Sequence, residues 1–212
     1  QGQRTYPATL SVDYPDRQLN RLTTFFRLIT VIPIAIILAL VTTTTISGDD
    51  SSEAWSVTLY AGGVTFLATM LMLVFRQKYP RWWFDWNLAL TRFSTRVEAY
   101  LALLRDEYPS TDEEQAVHLE VPYPDARTDL NRWLPLVKWL LAIPHYVVLF
   151  FLGIAAFVVV IVAWFAILFT GRYPRGLFDF VVGVMRWSLR VYAYAFLLTT
   201  DQYPPFSLEE QA

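Results

Sequence analysis

The chain contains no cysteine, so disulfide frameworks, thiolate zinc sites and cysteine nucleophiles are excluded. It has two histidines, His118 and His145, too few and too far apart to form a ligand cluster of recognisable spacing. No metal or cofactor is expected. There is no glycine-rich phosphate loop, no H-E-x-x-H and no G-x-S-x-G. The net charge is only −2, from 17 basic and 19 acidic residues, so charge makes no case for nucleic acid. The first residues, QGQRTYPATL, lack the apolar core of a signal peptide.

Charge is also missing locally. Residues 28–47, 54–75 and 139–171 contain no Asp, Glu, Lys or Arg. The composition is 55% apolar and the mean hydropathy is positive. The first two stretches are each about as long as the ~20 residues a helix needs to cross a bilayer. They predict a membrane hairpin over about residues 25–75, with the acidic tip Asp49, Asp50 and Glu53 facing outward. The third run exceeds one crossing, which predicts a second hairpin over about 133–171. It turns near Gly153, Lys138 snorkels to the interface, and the pair is either fully crossing or re-entrant. An active site or ion path within the bilayer would need ionisable groups in these arms.

All Lys and Arg lie in residues 4–27, 76–138 or 172–190, outside the three charge-free runs and the acidic tip. The positive-inside rule then places both termini on the cytoplasmic side.

What the chain does contain is written twice. KYPRWWFDW at 78–86 reappears as RYPRGLFDF at 172–180, and RFSTRVEAY at 92–100 as RWSLRVYAY at 186–194. ATLSVDYPD at 8–16 resembles VHLEVPYPD at 117–125, Asn20-Arg21 matches Asn131-Arg132, and Asp106 matches Asp201. Even EEQA occurs at 113–116 and at 209–212. We expect a first repeat over 5–112, a linker at 113–116 and a second repeat over 117–208. With an even number of crossings per repeat, the halves would be related by a pseudo-two-fold axis along the membrane normal.

Tyr-Pro pairs at Tyr79-Pro80 and Tyr173-Pro174 mark corners where one helix ends and another starts. Amphipathic helices are expected at about 80–104 and 174–198, lying in the membrane interface. Asp85, Arg92 and Arg96, and Asp179, Arg186 and Arg190, form one narrow polar stripe on each. Two arginines at i, i+4 repel unless an anion is near, so the stripes are candidate lipid-headgroup or partner-binding sites. The alternative is a stripe that is simply wet or internally paired. Tyr79, Trp82, Trp83, Tyr173 and Trp187 are expected as interfacial anchors. The alternating segments near 8–15 and 116–124 read as strands. They are expected to pair in a small cytoplasmic sheet that also takes in the segments following the amphipathic helices.

The pattern YPD, LNR, IP, then WFAILFTGRYPRGLFDF, RWSLRVYAY and QYPPFSL resembles the bacterial membrane family known as domain of unknown function 4389. The second half carries it closely. The first half departs from it, with Trp82-Trp83 where the second has Gly176-Leu177. The resemblance implies two tandem copies in a multi-pass bacterial inner-membrane protein, and no catalytic residues. The expected fold is mainly α. The expected role is a non-enzymatic scaffold or accessory subunit bound to another membrane protein and to lipids. The alternative is an anionic-lipid-handling protein, and the least expected is an intramembrane enzyme or channel.

Overall fold

The computed structural model describes residues 6–15, 18–50, 53–110 and 115–209. Half of the expected linker at 113–116 and all but the first residue of the terminal EEQA fall outside the described residues. The chain is mainly helical and is arranged in three layers.

The first layer is a two-stranded antiparallel sheet of β1 (Thr9–Val12) and β4 (Val117–Glu120), with Leu10 opposite Leu119. The alternation in sequence is the cause: Leu10, Val12, Val117 and Leu119 are buried while His118 and Glu120 are exposed. Strands were also expected after the two amphipathic helices, and there the structure differs. Residues 102–110 and 196–209 form turns and extended chain whose carbonyls receive side chains instead.

The second layer holds α5 (Arg81–Leu101) and α8 (Arg175–Ala195). Each starts directly after a proline with extended backbone, Pro80 at φ −60 and Pro174 at φ −61. These helices do not lie exposed at an interface. Val181, Val182, Val184, Met185, Leu189, Val191, Ala193 and Tyr194 of α8 are all buried, and α5 buries Phe84, Leu88, Phe93, Val97 and Tyr100. Periodicity in the sequence reveals that each helix is one-sided but not which surface covers its apolar side. Here the chain's own third layer covers it.

That third layer is two apolar rods. The second half supplies α6 (Pro135–Leu141) and α7 (Ile143–Thr170). The turn expected near Gly153 does not occur, because α7 is one uninterrupted helix of 28 residues, about 42 Å long at 1.5 Å per residue. Pro144 sits in its first turn, where a missing N–H is harmless. Gly171 ends it in the left-handed region at φ +72, returning its N–H to the Ile167 carbonyl at 2.7 Å. α7 then packs antiparallel on α8, with Ala142, Tyr146 and Leu149 against Trp187, Val191 and Tyr194.

The first half supplies α1 (Arg21–Phe25), α2 (Arg27–Thr30), α3 (Ile32–Thr42) and α4 (Ala61–Leu71), the last running on as a π-helical turn at Met72–Arg76. Between α3 and α4 stands an antiparallel β-hairpin, β2 (Thr43–Asp50) and β3 (Glu53–Tyr60). Thr43 pairs with Tyr60, so the chain leaves α3 and enters α4 at adjacent points. The rod begins at the C-terminal end of α5, where Thr30 and Tyr100 hydroxyls meet at 2.8 Å. It finishes at the N-terminal end of α5, where Trp83 donates to the Thr69 hydroxyl at 2.8 Å. Both short helices therefore run antiparallel to α5 and stand end to end. This corrects the expected helical hairpin over 25–75: its two apolar segments continue one another instead of folding back.

Candidate functional site: two buried ion pairs, two tyrosine corners and an uncovered apolar face

The six stripe residues separate by charge. Asp85 and Asp179 are exposed at the starts of α5 and α8. The arginines point into the protein's own backbone. Arg92 Nε donates to the Leu119 carbonyl at 3.0 Å, and Arg186 Nε to the Leu10 carbonyl at 2.9 Å, so the middle of each long helix is pinned to the central pair of the sheet. Arg96 donates to the Ser110 carbonyl at 2.7 Å, and Arg190, only 1% exposed, to those of Ser207 and Glu209. Backbone acceptors thus separate the i, i+4 cations. The stripes work as internal clamps.

Sequence reasoning missed two buried ion pairs. The Arg27 guanidinium is bonded to the Asp106 carboxylate and donates to the Tyr100 carbonyl at 3.0 Å. It also lies over the Tyr100 ring, 4.4 Å from its centroid. At the matching place, Lys138 Nζ sits 2.5 Å from Asp201 Oδ1, donates to the Thr200 carbonyl at 2.7 Å and lies 5.3 Å from the Tyr194 ring. Both carboxylates also receive a backbone N–H at a helix entrance, from Asn20 and from Asn131. Lys138 is fully buried, so its expected snorkelling to an interface does not occur. The available signal was the repeat register: Arg27 and Lys138 occupy the same position in their halves, as do Asp106 and Asp201. Burial pulls the Arg27 and Lys138 cations down from their ordinary values, and the carboxylate beside each holds it up.

The Tyr-Pro corners form a second matched set. The Tyr14 hydroxyl donates to the Tyr173 carbonyl, and the Tyr123 hydroxyl to that of Tyr79. Arg175 lies 4.9 Å from the Tyr14 ring and Arg81 5.4 Å from the Tyr123 ring. Tyr79 and Tyr173, expected as interfacial anchors, are core residues, as is Trp187. Of that set, Trp82 is exposed and Trp83 half-buried. A cleft of about 410 Å³ opens at one corner, lined by Tyr14, Gln18, Leu19, Arg172, Tyr173 and Arg175.

The two histidines lie apart, one in the core and one on the surface of the sheet. His145 is buried, accepts from Trp187 Nε1 at 3.1 Å on Nδ1, and stacks on Phe206 with ring centroids 4.0 Å apart. His118 faces Asp13 at 3.3 Å on the exposed side of the sheet. Among the described residues, no three His, Asp or Glu side chains gather as a metal site.

The largest unexplained feature is apolar. α7 is the one helix among the described residues long and apolar enough to cross a membrane, yet only 6% of its most apolar window is buried. Val147, Phe150, Ile154, Phe157, Ile161 and Phe165 are exposed along it, and Ile36, Leu40, Val64 and Leu67 along α3 and α4.

Residues 133–207 match the family model described as domain of unknown function (DUF4389). The match is single, covering α6, α7, α8 and the following turn, and the second copy expected over the first half is not matched. No curated protein and no solved structure matches the chain.

Proposed function

We propose that this protein is a membrane-resident, non-enzymatic scaffold built from a duplicated unit, which holds another membrane protein through its lipid-embedded or aromatic surfaces. The observation that carries this reading is the uncovered face of α7, an exposed apolar surface running the length of a 28-residue helix. Exposed apolar patches of such extent are rare on soluble monomers and mark membrane or protein contact. The buried polar groups support the scaffold role. The cations of Arg27, Lys138 and Arg190 are engaged in ion pairs and backbone contacts that hold the fold.

The duplication reading rests on the matched contacts across the sequence repeat: two arginine-to-strand bonds, two ion pairs and two tyrosine corners. A pseudo-two-fold axis would pass between Leu10 and Leu119, where the two halves meet. The segregation of Lys and Arg supports termini on the cytoplasmic side of a bacterial inner membrane.

A second reading, anionic-lipid handling, is favoured by the corner cleft with Arg172, Arg175 and Gln18, rather than by the clamped stripe arginines. The test is purification from native membranes in polymer-bounded nanodiscs. Retention in the membrane after alkaline carbonate, with one protein recovered in stoichiometric amount, is the expected result. Release by carbonate overturns membrane residence, and recovery of one enriched anionic lipid without a protein favours the second reading.

A further inference from the structure

The sheet is anchored at mid-height. Arg92 and Arg186 are each the twelfth of 21 residues in their helices, and they bind the centre of the β1–β4 pair. α7 runs antiparallel along α8. A bilayer drawn across the α7 axis would therefore hold the sheet at hydrocarbon depth. The exposed side chains of Asp13, His118 and Glu120 would lie in it, and Arg92 beside them. Charges at that depth are expensive unless paired or hydrated. A bilayer drawn parallel to the two rods meets none of them.

Three further observations agree. α7 is about 42 Å long, well beyond the ~30 Å of a hydrocarbon core, and remains apolar on its outer side from Ile143 to Phe169. The two rods lie side by side and antiparallel: Trp164 of α7 donates to the Thr24 carbonyl at 3.2 Å, and Arg132 before α6 to the Val74 carbonyl at 2.6 Å. Each rod is closed at both ends by an exposed cation, Arg21 and Arg76 on the first, Arg132 and Arg172 on the second. Exposed tryptophans, Trp82, Trp133 and Trp139, stand near those ends. An apolar raft rimmed by arginine and tryptophan matches one anionic leaflet, with acyl chains beneath and phosphates at the edge.

We propose that the protein does not cross the bilayer but lies in the plane of one anionic leaflet, α7 and the α3–α4 rod sunk into the acyl region and the sheet facing water. This rests on the membrane-residence reading above and specifies its geometry. The absence of cysteine makes the test direct. Val147→Cys, Ile154→Cys, Ile161→Cys and Phe169→Cys, all at exposed positions, and Glu120→Cys on the sheet carry a nitroxide in the full chain. The protein is bound to vesicles of phosphatidylcholine and phosphatidylglycerol, and label depth is read from oxygen and nickel accessibility.

The expected profile is one shared depth at the four α7 sites and full water access at position 120. A depth that peaks at Ile154 and Ile161 and falls toward both ends, at about 1.5 Å per residue, overturns the in-plane seat while leaving membrane residence intact. Water access at all sites, with no protein floating with the vesicles, overturns membrane residence itself. Dipolar broadening between copies at the four sites, without oxygen access, assigns the face to a second copy and overturns the leaflet as occupant. Vesicles of phosphatidylcholine alone should bind roughly ten-fold more weakly, and Arg21→Gln with Arg172→Gln should erase most of that difference. Equal binding to both vesicles overturns the anionic rim.

Discussion

Replacing Asp201 by Asn isolates the buried charge at Lys138. The substitution keeps an oxygen that accepts the Asn131 N–H and removes only the negative charge. Lys138 is fully shielded, Asp201 about one-quarter exposed, and the ammonium is left with the Thr200 carbonyl and the Tyr194 ring. Removing one partner of a buried pair typically costs 3–5 kcal/mol, and the partial exposure of Asp201 places the expectation near 3. For a chain of this size that corresponds to a fall of roughly 6–12 °C in Tm. The eight tryptophans report unfolding by intrinsic emission in a mild detergent. Burial pulls the Lys138 cation down, so without its counter-ion the unfolded chain binds the proton more readily. The variant should regain stability as pH climbs toward the ordinary lysine value of about 10.4. Lys138→Met with Asp201→Asn removes both charges and should return to within about 1 kcal/mol of the parent. A loss below about 1 kcal/mol in the single variant, or no recovery in the double, refutes a desolvated pair that depends on its counter-ion.

Three other measurements probe the fold. Burial raises the phenols of Tyr6, Tyr79 and Tyr173 above their ordinary value, so their contribution is complete below pH ~10 and is lost as pH rises beyond it. Denaturation at alkaline pH should steepen by about 1.4 kcal/mol per pH unit for each phenol. Tyr173→Phe, whose hydroxyl has no hydrogen-bond partner among the described residues, should flatten that slope by about 1.4 kcal/mol per pH unit with little change at neutral pH, as followed by urea melts from pH 8 to 11. Gly153→Ala should stabilise by about 0.5–1 kcal/mol, because the glycine is mid-helix with nothing within 4 Å of a new Cβ; destabilisation in the same melts would restore a turn there. Gly183→Ala should destabilise by about 1–3 kcal/mol and expose the 207–209 segment to protease, since the new Cβ would meet Leu208 Cβ at 2.9 Å and its carbonyl at 3.0 Å.

Local signals located the elements well. Tyr-Pro pairs placed the starts of α5 and α8 to within a residue or two, and alternation found β1 and β4. Orientation in space was harder to read. The charge-free run at 139–171 was divided at Gly153 because a single helix would overshoot a bilayer, yet no proline or polar turn residue stands there to break it. Bilayer thickness limits a helix only where it runs along the membrane normal. The arginine stripes were visible as stripes, but their partners are backbone carbonyls of strands and turns distant in sequence, which carry no side-chain signature. Asp106 and Asp201 were seen only as repeat markers. Their role emerges once α2 and α6 bring cations across some 60–80 residues of chain.

The excursion between Thr42 and Ala61 starts and finishes at one spot on its rod, tied shut by Thr43 and Tyr60. Whatever is strung beyond that knot can lengthen, shrink or change character without shifting the helices on either side. The molecule thus has a built-in socket: a fluorescent domain or epitope spliced in near Asp50 would ride on the scaffold, and related chains would be free to diversify there first.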